Sequence, residues 1–208
     1  MDVEAVTIDA YGTLVELADP VPLLQAALAR RGAERTDAQV RDAFAAEVAF
    51  YVVRSYEGRD AMTLAALRRD CTAVFLAAAG APLDPDEFVP AFVDSIAFDE
   101  LPGATDSLRK LAGAGLRLAV VSNWDIGLHA HLAAIGLDRF VDTVVTSAEA
   151  GAPKPEAALF ELALARLGTD ASRAVHIGDS ASDAEGARAA GMRFEPAPLA
   201  DAAARILG

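Results

Sequence analysis

Five short apolar segments punctuate the chain, at Ala5–Ile8, Leu116–Val121, Thr143–Val145, Ala174–Ile177 and Met192–Phe194. The first four are β-branched runs without polar alternation, the pattern of strands buried on both faces of a parallel sheet; the fifth carries it more weakly. Between the later segments apolar residues recur at helical spacing, over Ala104–Ala114, Ile126–Ile135, Glu156–Leu167 and Asp183–Ala190. Each of these helical patterns ends near a glycine (Gly115, Gly136, Gly168, Gly191), the residue that most easily takes the left-handed turn past a helix end. Alternating strand and helix predicts an α/β fold with a doubly wound, Rossmann-like parallel sheet.

The rhythm breaks between the first two strands. From about Val15 to Ala97 no strand pattern stands out, and four helices are predicted instead. Asp19-Pro20 opens the first, with a capping acid before a proline in the first turn. Thr36-Asp37 opens the second, which is expected to run towards Tyr56 with Val40, Phe44, Val48 and Tyr51 on one face. The third spans Ala61 to Ala79, and the fourth follows Asp84-Pro85. A helical block of this length exceeds a crossover and reads as an inserted α-helical cap. The expected organisation is a Rossmann-like core of residues 1–15 and 97–208, with the cap at 16–96.

Composition narrows the classes. The 208 residues are 53% hydrophobic, enough for burial to offset chain entropy. No apolar run approaches the roughly 20 residues that span a bilayer, and MDVEAV lacks the basic start and apolar core of a signal peptide. The single cysteine, Cys71, excludes an intramolecular disulfide and any multi-cysteine metal site. A formal charge of −13 disfavours nucleic acid and anionic membranes as partners, while a local pocket can still take a small anionic substrate. These features fit a cytoplasmic protein, monomeric or homodimeric.

In an open parallel sheet, ligands bind beyond the carboxyl ends of the strands. Strand one ends in Asp9, followed by Tyr11 and Gly12-Thr13; strand two ends in Ser122-Asn123. Strand three leads into AGAPKPE, where Lys154 stands between two prolines; strand four ends in Gly178-Asp179-Ser180, with Asp183 four residues after Asp179. A carboxylate can act as a covalent nucleophile, a nearby lysine keeps it ionised, and several acid oxygens suit Mg2+. The flanking prolines restrict the loop that aims the lysine.

DAYGTL, VVSN, PKP and GDSxxxD resemble, in order, the four motifs of the haloacid dehalogenase-like hydrolase superfamily, in the subclass with a helical cap after strand one. The resemblance covers essentially the whole chain. It implies that Asp9 is the nucleophile, that Thr13 and Ser122 hydrogen-bond the reacting group, and that Lys154 holds Asp9 ionised. It also implies Mg2+ bound by Asp179, with Asp183 as a ligand or outer partner, alongside Asp9 and the Tyr11 carbonyl.

Two departures matter. Phosphatase members place a second aspartate where Tyr11 stands, and a phenol with a pKa of about 10 is a poor substitute for that acid. The DAYGT wording and Asn123 match the 2-haloacid dehalogenases, whose halide leaves without a proton. Against this, dehalogenases use no magnesium, lack the Gly178-Asp179 pattern, and tend to carry tyrosine where Phe160 stands. The sequence therefore favours a Mg2+-dependent phosphatase acting on a small phosphorylated metabolite. A 2-haloacid dehalogenase, or a catalytically weak member binding a phosphometabolite or a protein, is the alternative.

Structural roles compete at several positions. Ser122 and Thr13 could serve as helix caps, and Asp183 could cap the helix after strand four. Tyr11, Asn123 and Trp124 are candidate substrate contacts, although Tyr11 and Trp124 could simply pack. His129 and His131 lie two apart on a helix and cannot share a face, and His176 reads as a strand residue below the site.

Overall fold

The computed structural model describes residues 3–208. In chain order the elements are β1 (Ala5–Ile8), β2 (Val15–Leu17), α1 (Val21–Ala29), α2 (Asp37–Val52), α3 (Ala61–Ala78), α4 (Pro85–Asp94) and β3 (Phe98–Glu100). There follow α5 (Ala104–Gly113), β4 (Arg117–Ser122), α6 (Leu128–Ala134), β5 (Thr143–Thr146), α7 (Ser147–Ala150) and α8 (Ala158–Leu167). The chain closes with β6 (Ala174–Gly178), α9 (Ala181–Ala189), β7 (Arg193–Pro196) and α10 (Leu199–Leu207). It divides into two compact units, residues 1–16 with 98–208, and residues 17–97.

The first unit is an α/β layer structure around a five-stranded sheet of order β5-β4-β1-β6-β7, every pairing parallel. Both faces are covered, which is why β1, β4 and β6 carry almost no exposed position. Ala119 and Val121 of β4 pack with Leu159, Phe160 and Ala163 of α8. Their alternate neighbours Leu118 and Val120 point to the opposite face and are equally buried. From β1 the chain runs out to β4 and β5, then returns to β6 and β7 on the other side. That reversal places the crevice of the sheet beside the carboxyl end of β1.

One expectation fails at its edge. Val15–Leu17 forms β2, which pairs with β3 as a two-stranded sheet where the chain leaves and re-enters the first unit. Three-residue strands are too short to carry a periodic signal.

The second unit contains α1 to α4 around the buried residues Leu24, Leu28, Val40, Leu67, Phe75, Phe88 and Phe92. Phe75 anchors it, with ring centroids 6.1 Å from Phe88 and 5.3 Å from Phe92. Thr36 with Gln39 and Asp60 with Thr63 form capping boxes at α2 and α3, and Asp84 caps α4. α2 stops at Val52, short of Tyr56, and its buried stripe differs from the predicted one. Val48 is exposed, whereas Val40, Ala43 and Glu47 face inward. Among the described residues, no helix is long and apolar enough to cross a membrane.

Glu47 is thus a carboxyl in an apolar bundle, 4% exposed. Burial pushes its pKa up, and a hydrogen bond with Cys71 only partly opposes that shift. A raised folded-state pKa means that the native state holds the proton more tightly than the unfolded chain. The contribution to stability is therefore complete below the unfolded value and is lost as pH rises through the folded one. Glu47→Gln is expected to raise the melting temperature at pH 7 by about 2–4 °C, the effect of roughly 1 kcal/mol in a chain of this size. The gain should shrink on acidification towards about pH 4, as scanning calorimetry across the pH range would register.

Candidate active site

β1 delivers Asp9 into a tight loop. The Asp9 N–H donates to the Ile177 carbonyl at 2.9 Å, continuing the sheet ladder one residue past the strand. The Ala10 carbonyl then accepts from Thr13, Leu14 and Val15, closing the turn. Ala10 and Leu14 are fully buried and pin the loop, while Tyr11 between them is 53% exposed. Gly12 has φ +79°, and a Cβ there would lie 2.2 Å from Asp179 Oδ2. Glycine is required on both counts.

Asp9 is 5% exposed, and its Oδ1 is held from two sides. The Ser122 hydroxyl at the end of β4 donates to it at 2.9 Å, and Lys154 Nζ donates at 2.6 Å. Among the described residues nothing donates to Oδ2. The Thr13 hydroxyl is buried in the same loop with no hydrogen-bond partner among the described residues, an arrangement that costs free energy unless something else supplies one.

Lys154 is buried to 3% side-chain exposure, yet all three of its N–H groups find acceptors. Besides Asp9 these are Asp183 Oδ1 at 2.5 Å and the Val121 carbonyl at 3.2 Å. Burial pushes the ammonium's pKa down, but the Asp9 and Asp183 carboxylates outweigh it and hold the group above the ordinary lysine range. Lys154 is therefore a fixed cation.

Asn123 positions that lysine. Its Oδ1 accepts from the Lys154 N–H at 2.6 Å, and its Nδ2 donates to the Lys154 carbonyl at 3.3 Å. The amide expected to face substrate is thus engaged with the loop backbone. Trp124 is buried, with Phe98 edge-on at 4.8 Å and His131 at 6.1 Å, so packing is the role the structure gives it. His129 points elsewhere, to Glu149 at 3.2 Å.

Asp183 is fully buried, with both carboxylate oxygens occupied. Oδ1 receives Lys154 and the ring nitrogen Nε2 of His176 at 3.0 Å; Oδ2 receives the N–H and hydroxyl of Ser180, completing a capping box for α9. Of the two roles open to it, cap and metal ligand, this geometry favours the cap. Burial raises its pKa, but the hydrogen bond from His176 and the Lys154 charge prevail and hold it far below the usual carboxylate range. His176 contacts Thr7 Oγ1 through Nδ1 at 2.8 Å, and burial lowers its pKa. The sequence had placed His176 below the site without a partner. Thr7 and His176 are the polar side chains in strands otherwise made of Ala, Val, Ile and Gly, but only the register of β1 against β6 shows that they pair.

Asp179 is the exposed member of the cluster. Carboxylate oxygens of Asp9, Asp179 and Asp183 lie within 4.8 Å of one another. Burial and the charges of Asp9 and Asp183 push the Asp179 pKa up, the signature of a carboxylate short of positive charge.

The family model "Hydrolase: haloacid dehalogenase-like hydrolase" matches residues 3–191. Human haloacid dehalogenase-like hydrolase domain-containing protein 3 is 44% identical over 93 residues, 44% of this chain and 37% of that protein. A phosphoglycolate phosphatase from Caulobacter vibrioides is 40% identical over 126 residues, 56% of this chain and 53% of its own length. The chain thus matches only between a third and about half of these relatives. The crystal structure of a 2-haloacid dehalogenase from Pseudomonas syringae superposes with a TM-score of 0.63 at 28% identity, covering 92% of this chain and 85% of that one.

Removing Asp183 would leave Lys154 with one counter-ion and strip an acceptor from His176. Asp183→Ala is expected to cost about 3 kcal/mol in urea denaturation at pH 7, as breaking a buried ion pair does. The depressed pKa of Asp183 gives stability that is present above the ordinary carboxylate value and lost as pH falls through the folded one. The gap between wild type and variant should therefore narrow below about pH 4.

Proposed function

The chain belongs to the haloacid dehalogenase-like hydrolase family, and on that premise we propose a Mg2+-dependent phosphatase acting on a small phosphorylated metabolite, with Asp9 as nucleophile. The observation that carries this reading is the charge balance of the site. Three carboxylates face one lysine ammonium, and the neutral His176 ring adds nothing, which leaves two uncompensated negative charges where a phosphate must approach. A divalent, oxygen-seeking cation matches that deficit, and the donors fit Mg2+: Asp179, Asp9 and the Tyr11 carbonyl. Bound there, the ion would supply charge neutralisation and orientation of the phosphoryl oxygens.

The chain's own residues account for the remaining chemistry. Asp9 Oδ2, to which no side chain among the described residues donates, attacks phosphorus in line while Ser122 and Lys154 hold Oδ1 and so fix the carboxylate plane. The bond to the leaving oxygen breaks as the aspartyl phosphate forms, and water then cleaves that intermediate to release phosphate. The unpartnered Thr13 hydroxyl is suited to donate to a phosphoryl oxygen. Tyr11 offers no carboxyl acid to the departing group. Acyl and aryl phosphates, whose leaving groups depart as stable anions, should therefore turn over faster than alkyl phosphates.

The same Tyr11 favours a second reading as a 2-haloacid dehalogenase, since halide needs no proton. Phe160 speaks against it, being fully buried edge-on to His176 at 4.9 Å, so no phenol enters from that position.

Turnover of p-nitrophenyl phosphate, acetyl phosphate and an alkyl phosphate, with Mg2+ and with EDTA, separates the two. Activity should require the metal and fall by at least about 10³-fold in Asp9→Asn, as for loss of a nucleophile. Tyr11→Asp should raise alkyl phosphate turnover by roughly 10²-fold, the lower end of what a general acid contributes. Metal-independent turnover of 2-haloacids without phosphatase activity would overturn the proposal.

A further inference from the structure

We propose that His176 and Thr7 are positioning residues for Lys154, holding Asp183 in a single orientation so that the lysine ammonium stays on Asp9. The two residues are direct partners in the parallel ladder of β1 and β6, so their side chains leave the same face of the sheet side by side. Both are fully buried, in a layer where an unpaired ring nitrogen or hydroxyl would cost free energy. Neither belongs to the four strand-end motifs.

Their hydrogen bonds have a fixed direction. An ionised Asp183 is acceptor-only, so the His176 nitrogen facing it, Nε2, carries the proton. In the neutral ring Nδ1 is then an acceptor, and the Thr7 hydroxyl is the donor that fills it. The line runs from Thr7 O–H to His176, from His176 N–H to Asp183 Oδ1, and meets Lys154 Nζ at that same oxygen. On its other side Asp183 is held by Ser180 and pressed against the backbone, since a Cβ at Gly178 would lie 2.4 Å from Asp183 Cγ. A carboxylate gripped at both oxygens and backed by the strand cannot swing. The lysine's place therefore derives from the register of β1 against β6, with its own loop held through Asn123.

The sequence offers a direct assay, because the chain has two lysines, Lys154 and the exposed Lys110. Acetic anhydride labelling followed by peptide mass spectrometry reads Lys154 against Lys110 as an internal standard. His176→Leu should raise that ratio by about tenfold, the scale of losing one hydrogen bond to a charged group. His176→Gln, whose amide N–H can replace the Nε2 donor, should stay near wild type, and Thr7→Val should fall between. On an aryl phosphate, His176→Leu should lower kcat about tenfold with KM nearly unchanged, and the glutamine variant should recover most of it. The kinetic readout rests on the phosphatase reading; labelling does not, so absent turnover would count against that reading alone. A folded His176→Leu protein with unchanged Lys154 labelling would refute the positioning role. So would ¹⁵N NMR of the wild-type protein placing the His176 proton on Nδ1, a measurement that needs no variant to fold.

Discussion

A buried lysine ammonium is the constraint on which the site depends. Taking such an ion out of water costs several kcal/mol unless geometry restores its interactions. Lys154 recovers them with three acceptors for its three donors: Asp9, Asp183 and the Val121 carbonyl. Those acceptors come from the end of β1, from β4 and from the first turn of α9 after β6, so the ion pair is satisfied only when β1, β4 and β6 are in register. The site and the sheet therefore stabilise each other.

From that constraint the roles of the neighbours separate. Asp183, claimed at both oxygens by Lys154, His176 and Ser180, serves the lysine and the α9 cap. Asp9 is held at one oxygen, by Ser122 and Lys154. Asp179 stands apart, close to the Gly12 backbone and short of positive charge. A single acidic cluster thus contains a carboxylate locked at both oxygens, one held at a single oxygen and one exposed and short of positive charge, distinguished by burial and hydrogen bonding rather than by residue type.

Tyr11 is the point where this site departs from the two-acid arrangement of its family's phosphatases. Its neighbours Ala10 and Leu14 are fully buried while its ring is exposed, so the loop is pinned without it. Position 11 can change chemistry at small cost to the fold. The same loop cannot tolerate change at Gly12, where backbone angle and the approach of Asp179 both exclude a side chain.

Much of this was legible in the chain. Uninterrupted β-branched runs announced the buried strands, glycines marked helix ends, and the positions of Asp9, Ser122, Lys154 and Asp179 after strand segments placed those side chains at one sheet edge. Those features are local, so local pattern suffices to read them. β2 and β3 escaped because three residues carry no period, and Glu47 escaped because an acid interrupts an apolar stripe. The clamp of Asn123 on Lys154 and the line from Thr7 through His176 to Asp183 were beyond sequence reading. Their partners lie 31 and 169 residues apart in the chain, and only the folded sheet with its loops brings them within hydrogen-bonding distance. The sequence by itself determined which residues reach the sheet edge. Tertiary structure decided which acid is locked at both oxygens, which is held at one and which stays exposed, because burial and donor count exist only once the strands are paired.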